Sequence, residues 1–541
     1  MASACTPSPE QVVTPQPTLT TSSVVTTTTI PTVSAIQDGL PWWNDRVFYE
    51  VFVRSFADSN GDGDGDLVGL TDRLDYLNDG DPATDTDLGI TGIWLMPVFD
   101  SPSYHGYDVT DYRTIEPDYG TLADFQEFLE AAHDRGIAVI VDLVMNHSSR
   151  DHPWFTGAST EGSATADWYI FEDEDPGWRG PWGQNVWHER DDAFYYGLFW
   201  EGMPDLNLTN ESVTAEMHDV ASYWLGDVGV DGFRLDAARH FVEDGEIQED
   251  TPETMKWLTD FRTEMHSLSA DALILGEVWA DTDIASSYVP DALDLTFGFG
   301  LGEAFLDAMT RWDARPVEDA LAASLKEYPH GQLAPFLTNH DQNRIMSQLA
   351  GNWERAELAS VWLLTLPGTP FVYYGEEVGL KGIKPDERIR TPMPWTDNSI
   401  TVGFTEGIPW EPPDHGFSEA NVGLQSSDPD SLLSTYRKLI HFRNSSNALR
   451  LGTTTILEPS ADEVYAVLRS FDDEHVLTLL NLSGREILSG HLNLSALGTS
   501  ATTATIHGDT SDTAVEDLAN YWPTDVIPPF GSYVIEIIAD H

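Results

Sequence analysis

The chain has 541 residues, 90 of them acidic against 27 basic, for a formal net charge of −63. Charge of that size repels nucleic-acid phosphates and anionic lipid surfaces, so no nucleic-acid partner is expected, and self-repulsion at low ionic strength predicts a halophilic chain adapted to salt. Hydrophobic residues at 41%, with 18 Trp and 23 Phe, allow a large core and two or three domains, while a single cysteine, Cys5, excludes an internal disulfide.

Residues 1–40 form a Thr/Pro/Ser/Val tract with no apolar run long enough to span a membrane, and read as a disordered linker. Ser3-Ala4-Cys5 resembles the junction left where a bacterial lipoprotein signal is cut. Two readings stay open: a lipid anchor at Cys5 on an extracellular or cell-surface protein with its signal removed, or a leftover thiol on a flexible tail.

From Trp42 onward short apolar runs alternate with amphipathic helical stretches. The strand candidates are VFYEVFVRSF (47–56), ITGIWLMPVF (90–99), IAVIVDLVMN (137–146), GFRLDA (232–237), LILGEVW (273–279), LDLTFGF (293–299), LAPFLTNH (333–340) and GTPFVYYGEE (368–377). Among the helices, DFQEFLEAAHDRG puts Phe125, Phe128, Leu129 and Ala132 on one face and Gly136 at a C-terminal cap, and Thr251-Pro252 is an N-cap followed by proline at the first helical position. Eight such strand–helix units predict an α/β protein, a (β/α)8 TIM barrel over 41–148 and 213–447, whose chemistry sits at the C-terminal strand ends. Residues 149–212 interrupt the rhythm and are expected as a small inserted domain after the third strand. Residues 448–541 alternate apolar and polar positions and predict a C-terminal antiparallel β-sandwich domain. The chain is expected to be a monomer.

The loop DSNGDGDGDLVG (58–69) spaces oxygen-bearing residues two apart with glycines between, as a tight loop around a hard cation requires. Asp58, Asn60, Asp62 and Asp66, with the backbone carbonyl of Asp64, are the candidate ligands. In so acidic a chain a solvated Asp/Gly loop is the alternative.

Three carboxylates close strands: Asp236 the fourth, Glu277 the fifth, and Asp341 follows the seventh. Three on one barrel rim is the constellation for glycoside hydrolysis, in which an ionised carboxylate attacks the anomeric carbon and a protonated one gives its proton to the leaving oxygen. Two residues along a strand return to the same face, so Arg234 is expected beside Asp236, where its guanidinium favours the ionised form. Glu277 needs the opposite, a value raised by burial and neighbouring negative charge.

With VDLVMNH on the third strand, the stretches GFRLDAARH, GEVW and FLTNHD resemble the α-amylase family, glycoside hydrolase family 13, over roughly residues 42–541. The resemblance implies Asp236 as nucleophile, Glu277 as acid/base, and Asp341 as the carboxylate that holds the distorted sugar. It further implies sugar-hydroxyl contacts from His147 and His340 and stacking by Tyr107. The calcium loop of some members resembles 58–66, and a second calcium between barrel and inserted domain would use Asn146, Asp205 and the carbonyl of His240. MPDLN (203–207) is similar to the signature of a subgroup intermediate between oligo-1,6-glucosidases and neopullulanases. Ala237 matches α-1,4-acting members, and Arg239-His240 resembles their leaving-side Lys-His pair with the lysine replaced. The expected activity is an α-amylase cutting α-1,4 bonds in starch and maltooligosaccharides with retention. Asp108 and Arg390 match residues by which exo-acting relatives grip a terminal sugar, so an exo-acting α-glucosidase or a transglucosylase on short chains is the alternative. The inserted segment's aromatics, Trp168, Trp178, Trp182, Trp187, Phe194, Tyr195, Tyr196 and Trp200, are expected mainly in its own core, with one or two walling the cleft.

Overall fold

The computed structural model describes residues 40–158, 162–488, 490–508, 510 and 512–539. Cys5, with the anchor expected there, and all but the last residue of the expected linker lie outside the described residues.

Each of the eight expected segments contains a strand: β1 (Phe48–Val51), β2 (Gly92–Leu95), β3 (Ala138–Leu143), β4 (Gly232–Leu235), β5 (Leu273–Gly276), β6 (Leu295–Phe297), β7 (Leu333–Ala334) and β8 (Phe371–Tyr373). They form one parallel sheet in the order β7-β6-β5-β4-β3-β2-β1-β8. A parallel bridge between Phe336 and Phe371 joins the two ends, completing a barrel. Both faces of the strands are buried, so they read as nearly continuous apolar runs. Phe48, Trp94, Ile140, Leu275, Phe297 and Phe371 pack together as the barrel interior. Gly92 makes room for that packing, since a Cβ there would lie 2.7 Å from the Phe48 ring. One period further along, the inward positions turn polar: Glu50 follows Phe48, Asp142 follows Ile140, and Arg234 follows Gly232.

The helices between strands form where the sequence predicts. Helix Leu122–Asp134 opens with a Thr121–Asp124 capping box, buries Phe125, Phe128, Leu129 and Ala132, and is followed by Gly136 at φ 76°. Burying each large apolar side chain contributes about 2 kcal/mol. Helix Pro252–Leu268 begins with the Thr251 hydroxyl accepting from Thr254 N. Helix Trp353–Thr365 ends on Arg443, whose guanidinium donates to the carbonyls of Leu364, Leu366 and Gly368. A buried cation thus satisfies carbonyls that the helix end leaves without partners.

Between β3 and β4 lies a three-stranded antiparallel sheet with Ala193–Tyr196 between Phe171–Glu172 and Trp187–Arg190. Val186, Trp187, Tyr196 and Leu198 form its small core. The C-terminal strands are β9 (Thr453–Ile456), β10 (Val464–Phe471), β11 (Glu474–Asn481), β12 (Ala501–His507), β13 (Ala514–Val515) and β14 (Ser532–Ala539), ordered β9-β10-β11-β14-β12-β13 and antiparallel throughout. Alternate residues serve opposite faces. Tyr465 and Val467 join the main core, whereas Val464, Ala466 and Leu468 pack under Leu492, Leu518, Tyr521 and Ile527. Among the described residues no helix is long and apolar enough to cross a membrane.

Candidate functional site

The register of the barrel assembles the site. Leu235 on β4 pairs with Gly276 on β5, so the next residues, Asp236 and Glu277, emerge level with each other on neighbouring strands. Arg234, one position before Leu235, is fully buried. Its Nη1 donates to both oxygens of Asp142 at 2.8 and 2.9 Å and to Asp236 Oδ1 at 2.8 Å, while Nη2 donates to Glu277 Oε2 at 2.7 Å. Arg234 therefore lies beside Asp236 as expected, and it also binds Glu277 and Asp142, contacts that its position in the sequence does not reveal.

Electrostatics differ among the carboxylates. Burial raises Asp236, against the opposing pull of Arg234 and with repulsion from Asp341 adding to it. Burial likewise raises Glu277, opposed by Arg234 and reinforced by Asp236 and Asp341. Arg234 favours the ionised form of Asp236, as expected, but desolvation outweighs the guanidinium in the free site. Asp142, at the bottom of the cluster, is pushed up to about 7 by burial despite Arg234. Asp341 goes the other way. Burial opposes its ionisation, but His340 and Arg390 hold it well below the ordinary carboxylate range.

His340 Nε2 lies 2.7 Å from the Tyr107 hydroxyl and 3.2 Å from Asp341 Oδ2. The Tyr107 hydroxyl donates to Asp142 Oδ2 at 2.9 Å, and its ring stacks on His340 with centroids 5.6 Å apart. Burial lowers His147 to about 4, and its Nε2 is buried without a protein partner, a neutral ring with one nitrogen to offer. Arg390 donates to Asp341 Oδ1 at 2.9 Å and to the His340 carbonyl at 3.0 Å. Asp108 instead accepts from the hydroxyls of Ser101, at 2.8 Å, and Ser103. Asp108 and Arg390, the expected grip on a terminal sugar, thus hold different partners in the free site. Arg239 is held by Asp250, by Glu249 at 3.4 Å and by the Trp279 carbonyl at 2.7 Å. Burial lowers His240, whose Nδ1 faces the Gln248 carbonyl at 2.8 Å.

A cleft of about 450 Å³ opens over these groups, walled by Trp182, Phe199, Trp279, Glu249 and Lys384 as well as Asp236, Glu277 and Asp341. Trp182 and Trp279 stand 64% and 42% exposed at its mouth, and Trp279 stacks flat on Phe299 at 4.6 Å. Trp182 and Phe199 are the inserted-segment aromatics that wall the cleft, whereas Trp187 and Tyr196 belong to that segment's core. Sequence reasoning missed Asp142 and Glu50. Each is a lone carboxylate inside an apolar strand, and that oddity was the available signal.

In the 58–66 loop the donors are hard oxygens, which suits calcium. Their arrangement is less converged than the spacing implies. Asp58 accepts from the backbone of Asn60, Gly61 and Gly63, Asp66 accepts from Ser59 and Gly69, and the Asp64 carboxylate pairs with Arg54. Asn60 and Asp62 accept from Asp62 N and Asp64 N. The second expected set is paired internally: Asn146 Nδ2 donates to Asp205 Oδ2 at 3.0 Å, and burial pushes Asp205 up to about 7. Among the described residues no group of three or more His, Cys, Asp or Glu is arranged to hold a metal.

An eight-stranded parallel barrel with three acidic groups at the C-terminal rim is the frame of a glycosidase. Residues 50–452 match the family described as alpha amylase, catalytic domain. The chain is 38% identical over 450 residues to "Alpha-amylase 3" of Dictyoglomus thermophilum, covering 82% of this chain and 86% of that one. It is 30% identical over 519 residues to an oligo-1,6-glucosidase of Parageobacillus thermoglucosidasius, covering 82% and 90%. The crystal structure of an α-amylase from H. orenii superposes with a TM-score of 0.80 at 41% identity, covering 91% of this chain and 99% of that one. The chain belongs to the α-amylase family and is a glycoside hydrolase.

Proposed function

We propose that the chain is a retaining α-amylase cleaving α-1,4-glucosidic bonds in starch and maltooligosaccharides. The observation that carries this reading is the level placement of Asp236 and Glu277 on adjacent strands, both held by Arg234. Asp236 attacks the anomeric carbon as the bond to the leaving oxygen breaks, and Glu277 gives that oxygen its proton. Water then attacks the same carbon, Glu277 takes the water's proton, and Asp236 leaves. Asp341, kept ionised by His340 and Arg390, accepts hydroxyl hydrogen bonds from the distorted sugar, and His147 and Tyr107 complete its surroundings. Arg239 and His240 line the leaving side. Glu277→Gln should abolish hydrolysis with the fold intact, and full activity in that variant would overturn the assignment.

A second reading, an exo-acting α-glucosidase or a transglucosylase, draws support from relatives named for such activities. These include the oligo-1,6-glucosidase above and a 4-alpha-glucanotransferase of Thermotoga maritima at 34% identity over 453 residues. Early products from soluble starch separate the two: mixed oligosaccharides for endo cutting, mainly glucose for exo.

Calcium at the 58–66 loop, held by Asp58, Asn60, Asp62, Asp66 and the Asp64 carbonyl, is part of the proposal, as are a monomeric state, an extracellular or cell-surface location and adaptation to salt. Bound calcium would fix a loop that packs against residues 404–410. Titration calorimetry of the chelator-treated protein should register calcium binding that Asp58→Asn removes. A flat titration would refute the metal.

A further inference from the structure

Strand β1 carries one charged side chain, Glu50, in the run FYEV. It is 2% exposed and points inward with the barrel's polar layer. Its Oε1 lies 2.5 Å from His340 Nδ1, on the opposite side of the imidazole from Asp341. The ring is therefore bracketed by carboxylates, Glu50 at Nδ1 and Asp341 at Nε2. The Tyr107 hydroxyl sends its proton to Asp142, so its oxygen is left to accept from Nε2–H. Only a doubly protonated ring satisfies both sides. A neutral ring would turn a nitrogen lone pair towards Glu50 or towards Asp341.

We infer that Glu50 is a positioning residue that keeps His340 an imidazolium and, through it, holds Asp341 ionised at the sugar site. The inference rests on the preceding reading of Asp341 and His340 as substrate contacts. Burial pulls His340 down, yet Asp341 and Glu50 together carry it to about 10. The other groups around the ring are Trp94 on β2, with centroids 5.6 Å apart, Tyr107, and Arg390 on the residue's own carbonyl. Asp142 on β3 and Asp236 after β4 feel its charge through space. Neither touches Nδ1, so Glu50 has no substitute there.

Glu50→Gln keeps the shape and removes the charge. The loss in kcat/KM should grow with pH, from under about threefold at pH 6 to about tenfold or more at pH 9, because a fall of about two units in the His340 value leaves only about a tenth of the rings protonated at pH 9. A merely structural loss would be equal at every pH. The second readout is ¹⁵N-histidine NMR, with His340→Asn for assignment. Wild-type His340 should remain doubly protonated through pH 8, and in Glu50→Gln its titration should move down by at least about two units. A pH-independent loss with an unmoved His340 signal would overturn the inference. Should Glu50→Gln not fold, a wild-type His340 titrating near the ordinary histidine value of about 6.5 would overturn it on its own. Full activity in Glu277→Gln would overturn the underlying reading instead, and it leaves the His340 titration interpretable.

Discussion

Replacing Arg234 by leucine removes the one cation that touches Asp142, Asp236 and Glu277 together. With charge centres about 4 Å apart and an effective dielectric constant of about 20, each contact is worth about 4 kcal/mol, or about three pK units on each carboxylate. Asp236 is already raised by burial, so without Arg234 its ionised fraction at neutral pH should fall by at least about a hundredfold. The predicted kcat loss on an aryl maltooligosaccharide at pH 7 is about 10² to 10³. The residual rate should climb with pH as the stranded carboxylates ionise. Arg234→Lys should recover part of the rate, because an ammonium supplies charge but not the forked geometry that reaches three acids. A folded Arg234→Leu variant, confirmed by circular dichroism, with kcat within tenfold of wild type and an unshifted pH profile would refute the reasoning.

Arg443→Leu should cost about 3–5 kcal/mol and lower Tm, read by calorimetry, because it strands the carbonyls of Leu364, Leu366 and Gly368 in the core without touching the site. The Glu50–His340–Asp341 set predicts a loss of stability at alkaline pH. The folded value of His340, about 10, lies above the unfolded value of about 6.5, so its contribution is complete below pH 6.5 and disappears as pH rises to 10. That contribution is of order 4 kcal/mol, and denaturant melts at pH 6.5 and 10 should show a smaller difference in His340→Asn than in wild type. Stability of the wild type should rise with sodium chloride, and a melting temperature unchanged or lower at about 2 M salt would remove the case for salt adaptation.

The barrel was legible because a strand buried on both faces must be almost wholly apolar, and eight such runs punctuated by polar ends leave few other folds. Asp236, Glu277 and Asp341 were legible for the same reason, each being the first acid past an apolar run. Arg234 next to Asp236 followed from the two-residue period of a strand. What crosses the barrel was not legible. Glu50 and His340 are 290 positions apart, and only the pairing of β1 with β8 and the closure of β8 against β7 bring them together. The partners of Asp108 and Arg390 in the free site were not legible either: Ser101 and Ser103 lie on the same loop as Asp108, whereas Asp341 reaches Arg390 from the loop after β7. The family resemblance was equally incomplete at Asn146 and Asp205. Which end of an amide faces a carboxylate depends on the packing around both, and here the Asn146 amide N–H donates directly to Asp205.

Arg234, Arg344, Arg390, Arg443 and Arg469 are all buried, and each donates to at least two carboxylates or carbonyls. A guanidinium in that setting is not screened by ions, because no solvent lies between it and its partners, whereas the acidic surface is screened within about 3 Å at 1 M salt. Salt should therefore act on the surface repulsion that destabilises the fold and leave the site's proton equilibria alone. It follows that the two pH limbs of kcat/KM should stay fixed while Tm rises across a salt series. If the limbs moved together with Tm, the carboxylates around Arg234 would be coupled to the surface field, and the insulated site described above would be wrong.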